Sequence, residues 1–118
     1  DAGRRALFSY SWIFQDSMRV NMITLRMHTS GSEVLLAAAD KDLLDMKFSE
    51  GRMRLEVYRE FYEGEDASEE LLLNRLSMCS SANLVGREVI ALAVKHNYID
   101  EDCIIMIGGV PHAQLAKM

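Results

Sequence analysis

The chain has 118 residues, 49% of them hydrophobic and 26% charged, which is enough for one domain with its own core and argues against disorder. Its net charge of −5 opposes nucleic-acid binding at long range, and no apolar run approaches the roughly 20 residues that span a bilayer. Cys79 and Cys103 show no metal-ligand spacing and indicate a reduced, cytoplasmic protein, with a single disulfide between them left as an alternative.

Residues 1–21 form an N-terminal extension that differs from the rest of the chain. Four aromatic residues in it alternate with other residues and would share one face of a strand: Phe8, Tyr10, Trp12 and Phe14. We expect residues 7–14 either to pack on the core as an added strand or short helix, or to form a homo-oligomer contact. Because the chain begins at Asp1, residues before Met18 or Met22 are also interpretable as foreign to the domain. Residues 22–118 are predicted to form a single domain.

That domain is predicted to open with a β-hairpin. Apolar and polar residues alternate over 22–28, which is typical of a half-buried strand. Gly31 allows the turn, and the apolar run 34–39 returns as an inner strand. Asp40 is then expected to cap a single helical turn over 41–45.

The rest of the domain is predicted to hold two more strands and two helices. After a loop anchored by Phe48 and closed at Gly51, alternation over 53–57 predicts a third strand. A first helix opens at the capping box 66–69. The remaining elements are a second helix that starts at Ser81 or Asn83 and ends at Asn97, a residue that tolerates left-handed backbone, and a last strand over 103–107. The order ββ(α)βααβ predicts an α+β fold, with a small mixed sheet of about four strands covered on one face by two helices.

The tail of the chain, Gly108 to Gln114, carries its most specific motif. Two glycines free the backbone, Pro111 is the only proline, and His112 follows in what we expect to be a loop. The imidazole is a candidate general acid or base, or a donor to an anion beside glycine amides. The alternative is that it bonds a backbone carbonyl and fixes the tail.

A second glycine motif is expected to lie beside this tail. Gly86 falls within the predicted second helix, where it costs about 1 kcal/mol relative to alanine, so we expect the tail to pack closely against it. The predicted ligand- or partner-binding site is a concave patch near that helix N-terminus, suited to an anion. Its members are Asn83, Gly86, Gly108, Gly109, Pro111, His112 and Gln114.

Other chemistry is weakly indicated. No cysteine or histidine has zinc-site spacing, and the carboxylates of Asp40, Asp42 and Asp45 lack the glycine and glutamate of a calcium loop, so neither a metal nor a cofactor is expected. Cys79 paired with His112 as nucleophile and base has no local support. The remaining side chains are expected to be structural or solvated: His28, His96 and the arginines Arg52, Arg54 and Arg59, which interleave with glutamates.

From about Met22 to Met118 the chain resembles the small archaeal proteins grouped as domain of unknown function 424. Three segments carry the resemblance: residues 40–45, with Asp45 where the family has glycine; Ala82-Asn-Leu-Val-Gly86; and Ile107-Gly-Gly-Val-Pro-His-Ala-Gln114. The resemblance implies an archaeal, cytoplasmic protein. Because the function of that family is unassigned, it implies no activity.

The function hypothesis that best fits these observations is a non-catalytic binding module. It would contact a protein, a ribonucleoprotein or an anionic small molecule through the Gly-Gly-Val-Pro-His loop, with translation as a possible context. The first alternative is a small enzyme with His112 as general acid or base, weakened because no second catalytic group is evident. The second alternative is a structural protein that oligomerises through residues 7–14.

Overall fold

A computed structural model of the chain describes residues 22–117, so the predictions for residues 1–21 lie outside the described part. Within that part, strands outnumber helices, and two 3₁₀ turns (Lys41–Leu43 and Glu101–Cys103) complete the regular structure. The elements in chain order are β1 (Ile23–Ser30), β2 (Glu33–Asp40), β3 (Lys47–Glu50), β4 (Met53–Glu56), α1 (Arg59–Tyr62), β5 (Glu65–Ala67), α2 (Glu69–Met78), β6 (Ser81–Val85), α3 (Arg87–Lys95), β7 (Ile105–Ile107) and β8 (Val110–Ala116).

Six strands form one mixed sheet in the order β5-β1-β2-β6-β8-β7. Strands β2 and β6 are parallel, and all other neighbours in this sheet are antiparallel. The remaining two strands, β3 and β4, form a separate hairpin, which we call the arm. Because β2 and β6 are parallel neighbours, their carboxyl ends lie side by side at the same end of the sheet, where the 3₁₀ turn at Lys41 and helix α3 begin.

The two faces of the sheet are covered differently. Helices α2 and α3 pack on one face, the helix face, where Leu36, Leu84 and Ala113 meet Leu76 and Val89 in the larger core cluster. The arm and α1 cover part of the opposite face, the arm face, in a smaller apolar cluster. Because side chains alternate along a strand, neighbours in each strand belong to different clusters.

The α+β class and the two helices on one face agree with the sequence analysis, but the prediction of about four strands is wrong. Residues 81–85 form buried strand β6 and not the start of a helix, because Gly86, with a φ of 110°, separates the strand from α3, which begins only at Arg87. The loop around Phe48 is strand β3, and residues 65–67 pair with β1 as β5. Helix α2, which corresponds to the first predicted helix, is capped by Ser68 and not by Asp66. The Ser68 hydroxyl accepts from the Leu71 amide, whereas Asp66 lies in β5.

Several local predictions are confirmed. Strands β1 and β2 pair as an antiparallel hairpin, and Asn97 follows α3 with a φ of 63°. Cys79 is buried and Cys103 exposed, and both are free thiols, so the disulfide alternative is wrong. Among residues 22–117, no helix is long and apolar enough to cross a membrane.

Candidate functional site

Asp40 is the last residue of β2, and its side chain lies on the helix face, where it contacts residues that are distant in the sequence. Its side chain makes no capping hydrogen bond to the 3₁₀ turn that follows it, contrary to the sequence prediction. Its two carboxylate oxygens accept instead from the backbone amides of Glu88 and Val89, both at 3.1 Å. These are amides of the first turn of α3, which have no acceptor within the helix. Asp40 therefore caps α3 and places a negative charge at the positive end of its dipole.

Gly86 joins β6 to α3 and lies outside the helix, so the predicted cost of a glycine within the helix does not apply. Its φ of 110° and ψ of 155° belong to a region that is nearly exclusive to glycine. A Cβ at this position would lie 2.3 Å from Cγ of Asp40. The amide of Gly86 donates to the carbonyl of Pro111 at 2.9 Å, so the expected proximity of the two glycine motifs is confirmed. Gly86 is therefore required because the Asp40 carboxylate lies too close to this residue to leave room for a side chain.

Gly108 and Gly109 form the two-residue turn between β7 and β8, with φ values of 57° and 83°. Positive φ at both central residues is the type I′ geometry that joins twisted antiparallel strands, which explains both glycines. The amide of Gly108 donates to Oε1 of Glu50 on the arm at 2.9 Å. The predicted loop is thus a tight turn followed by strand β8, because residues 110–116 pair with β6 and β7.

His112 lies within β8 and is half-buried on the arm face. Its Nδ1 is 3.1 Å from the carbonyl oxygen of Leu84, so this nitrogen carries the proton and donates. Burial lowers the pKa of His112 below its ordinary value of 6.5, and the bond to the carbonyl opposes that shift in part. The alternative in which the imidazole fixes the tail thus describes the observed contact.

Asn83 and Gln114 lie opposite each other on β6 and β8, on the same face as His112. Asp40 points to the other face. The seven predicted site residues are therefore adjacent along the strands but are divided between two faces and the turn. They are separated because side chains alternate between the two faces along a strand, which the prediction of a helix from Ser81 or Asn83 to Asn97 did not take into account.

A pocket of about 300 Å³ lies where the carboxyl ends of β2 and β6 meet the start of β8. Ligands in open α/β sheets commonly bind outside the carboxyl ends of strands. Of the predicted site residues, Gly109 and Pro111 line it. The full lining is Asp40, Asp42, Leu43, Arg87, Glu88, Gly109, Val110 and Pro111.

Carboxyl groups dominate the polar lining of this pocket. Asp40 and Glu88 are only 6% and 5% exposed, whereas Asp42 and Arg87 are exposed. Glu88 is not among the predicted site residues. A usable signal was present, because Glu88 precedes the apolar Ala91 and Leu92 by three and four residues and so falls on the buried stripe of α3. Within residues 22–117, no group of three or more His, Cys, Asp or Glu side chains is arranged to hold a metal ion.

The other singled-out side chains have structural contacts or lie on the surface. Nε2 of His28 bonds the Phe61 carbonyl at 2.8 Å while the two rings stack, and His96 bonds Glu69 at 2.7 Å. Arg59 pairs with Asp45 at 2.8 Å. Arg52 and Arg54 are exposed on the arm.

Comparisons with known proteins give a family and a fold. The family model described as "Protein of unknown function (DUF424)" matches residues 28–118. The structure is similar to the crystal structure of an uncharacterized conserved protein from Methanopyrus kandleri, with a TM-score of 0.68 and 24% identity over 81% of this chain and 93% of that chain. At this identity the likeness shows the fold alone. No curated protein matches the chain.

Proposed function

The chain belongs to the DUF424 family of proteins of unknown function, and on that premise we propose that it is a non-catalytic binding module. The pocket at the carboxyl ends of β2 and β6 is the observation that carries the proposal. Two of the three segments that resemble the family contribute to its lining, through Asp40 and Asp42 and through the start of β8, and the residues directly after the third segment, Arg87 and Glu88, complete it. A volume of about 300 Å³ suits one amino-acid side chain or a small ligand.

The charge of the lining favours a cationic group. Three carboxyl residues and one arginine line the pocket, and the whole chain carries −5. An anion is disfavoured there, because the Asp40 carboxylate already accepts from the first-turn amides of α3 and Glu50 accepts from Gly108. We therefore propose that the pocket receives a lysine or arginine side chain of a protein partner. The basic proteins of ribonucleoprotein particles carry such side chains.

The contacts of His112 disfavour the enzyme alternative. Its Nδ1 is committed to the Leu84 carbonyl, and its lowered pKa keeps the ring neutral near pH 7. Two of the glycine amides expected to form an anion hole beside it, those of Gly86 and Gly108, donate to Pro111 and Glu50 instead. An acid–base role would need a reacting group within hydrogen-bond reach of His112 and an anion stabiliser.

Amide chemical shifts in a ¹⁵N-labelled sample test this function directly. The probes are N-acetyl-lysine methylamide and N-acetyl-arginine methylamide, with N-acetyl-alanine methylamide as the neutral control and inorganic phosphate as the anionic control. We expect the two cationic probes to shift the amides of Arg87, Glu88 and Gly109 in a saturable way. Neither control should move them.

Two matched variants assign the effect to the pocket. Glu88→Gln keeps the side-chain volume and removes the charge, so it should weaken the response to both cationic probes. Glu70→Gln removes an exposed carboxylate at the start of α2 and should leave the response unchanged. A response to phosphate at the same amides, or none to the cationic probes, would contradict the proposed function.

A further inference from the structure

Residues 1–21 join the described domain beside the acidic pocket. Strand β1 begins directly opposite the end of β2, because Ile23 is the register partner of Asp40. One residue earlier, the carbonyl of Met22 accepts from the amide of Lys41 at 2.9 Å. Lys41 directly follows Asp40, which lines the pocket. The main chain therefore enters β1 about 5 Å from that of a lining residue.

The segment that precedes β1 is opposite in charge to the rest of the chain. Residues 1–21 carry three arginines and two aspartates, a net charge of +1, whereas residues 22–118 carry −6. Arg19 is the arginine nearest to the domain, three residues before Met22, so their Cα atoms are at most about 11 Å apart. The long side chain extends this reach. Chain length therefore allows the Arg19 guanidinium to reach the pocket.

The charges of the pocket lining suit one more guanidinium. Three carboxyl residues line it together with one cation, Arg87. Lys41 does not offset the remaining charge, because its ammonium pairs with Asp66 at 2.7 Å. The two capping bonds of Asp40 use two of the roughly four acceptor positions of a carboxylate, so capping is compatible with a further donor. The planar fork of a guanidinium matches carboxylate oxygens in geometry as well as in charge.

We propose that the guanidinium of Arg19 binds in the pocket of its own chain, so that a cationic side chain of a partner must displace it. This inference rests on the proposed function, because it takes a cationic side chain to be what the pocket binds. A short tether gives an effective concentration in the millimolar range, which falls as roughly the −3/2 power of tether length. Arg5 lies 17 residues before Met22, so its effective concentration at the pocket is about 10-fold lower than that of Arg19. The contact therefore depends on Arg19.

Titration of the full chain with N-acetyl-arginine methylamide, followed at the pocket amides named above, tests this contact. If Arg19 fills the pocket half of the time, half of the molecules are open to the probe and the apparent dissociation constant doubles. We therefore expect Arg19→Gln to lower that constant at least ~2-fold relative to wild type. Arg19→Lys keeps the charge and should lower it less. Arg5→Gln and Arg52→Gln remove the same charge elsewhere and should keep the wild-type value.

The positions of the same amides give a second readout. Without any probe, Arg19→Gln should move them away from their wild-type positions, because a charged group has left the pocket. Adding the probe to this variant should move them back, because its guanidinium replaces the lost one. In a Glu88→Gln background the effect of Arg19→Gln should be smaller, since one side of the contact is already weakened.

The outcomes separate this contact from the proposed function. If the probe binds wild type and Arg19→Gln with equal dissociation constants, the pocket binds cations and the Arg19 contact is refuted. If the probe binds neither, the proposed function fails and the contact fails with it. An equal gain in affinity for Arg52→Gln would reveal a general effect of net charge and would also refute the contact.

Discussion

Replacement of Gly86 by alanine tests the close approach between the β6–α3 junction and the cap of α3. Alanine at a φ of 110° and a ψ of 155° costs about 1–3 kcal/mol in backbone strain. Its Cβ would also lie 2.3 Å from Cγ of Asp40, a separation that real Cβ atoms do not show. The carboxylate must therefore move away from the start of α3.

Displacement of the carboxylate adds a second cost. The amides of Glu88 and Val89 lose their acceptor, and loss of a helix cap costs about 0.5–2 kcal/mol. The unsatisfied amides are the origin of this cap cost, so they are not counted again. Together with the strain, we expect a loss of roughly 1.5–5 kcal/mol, which is a large share of the 5–15 kcal/mol that typically stabilises a domain.

Urea unfolding followed by circular dichroism measures this loss, with Gly31→Ala as the control. Gly31 also has positive φ, at 61°, but nothing lies within 4 Å of its added Cβ, so that variant reports backbone strain alone. With a slope of about 2 kcal/mol/M, the cost of about 0.5–2 kcal/mol for the cap should lower the midpoint of Gly86→Ala by roughly 0.3–1 M more than that of Gly31→Ala. Equal midpoints would refute the cap argument. Combining Gly86→Ala with Asp40→Ala should cost less than the sum of the two, because both remove one cap.

Three further changes address single residues. Burial lowers the pKa of His112, so as the pH falls the imidazole is protonated in the unfolded chain before it is protonated in the folded one. Its contribution to the free energy of unfolding is therefore fully present above pH 6.5 and declines as the pH falls below that value. In urea unfolding between about pH 7 and 5, His112→Gln should flatten this decline. Asp45→Gly relieves a φ of 69° and loses the exposed Arg59 ion pair, so its unfolding free energy should stay within about 1 kcal/mol of wild type, whereas Asp45→Ala should be less stable than Asp45→Gly. Ellman's reagent should modify Cys103 rapidly and Cys79 only on unfolding, because burial also raises the pKa of Cys79; a fast phase that survives Cys103→Ser would contradict this.

Apolar residues that repeat every two or about four positions predicted the structure correctly for elements whose pattern lies wholly within the element. Alternation over 22–28 gave β1 with the correct inner face, and leucine spacing gave α2. The same method failed over 81–85, since five residues of a buried strand resemble a helix turn when a helix follows. Of the two strands of the arm, only β4 was predicted. Strand β3 is short and mostly exposed and therefore shows little apolar pattern.

For the site, the sequence indicated the correct segments and the wrong arrangement. The glycine motifs at residues 86 and 108–109 are needed for backbone geometry, as their positive φ values show. The amides of Gly86 and Gly108, however, donate within the fold, to Pro111 and Glu50. The grouping of Asn83 and His112 with a helix N-terminus rested on a helix that is a strand, so alternation places these side chains on the opposite face from the cap.

The amino-acid sequence by itself determined the α+β class, the first hairpin, the end of α3 at Asn97 and the positions at which only glycine serves, because these depend on neighbours in the chain. Only the tertiary structure decided that Asp40 caps a helix that begins at Arg87, that Glu88 and Gly109 line one pocket, and that β8 lies between β6 and β7. Each of these depends on which strands become neighbours in the sheet. That choice is made by burial of whole faces, and no local pattern of residues encodes it.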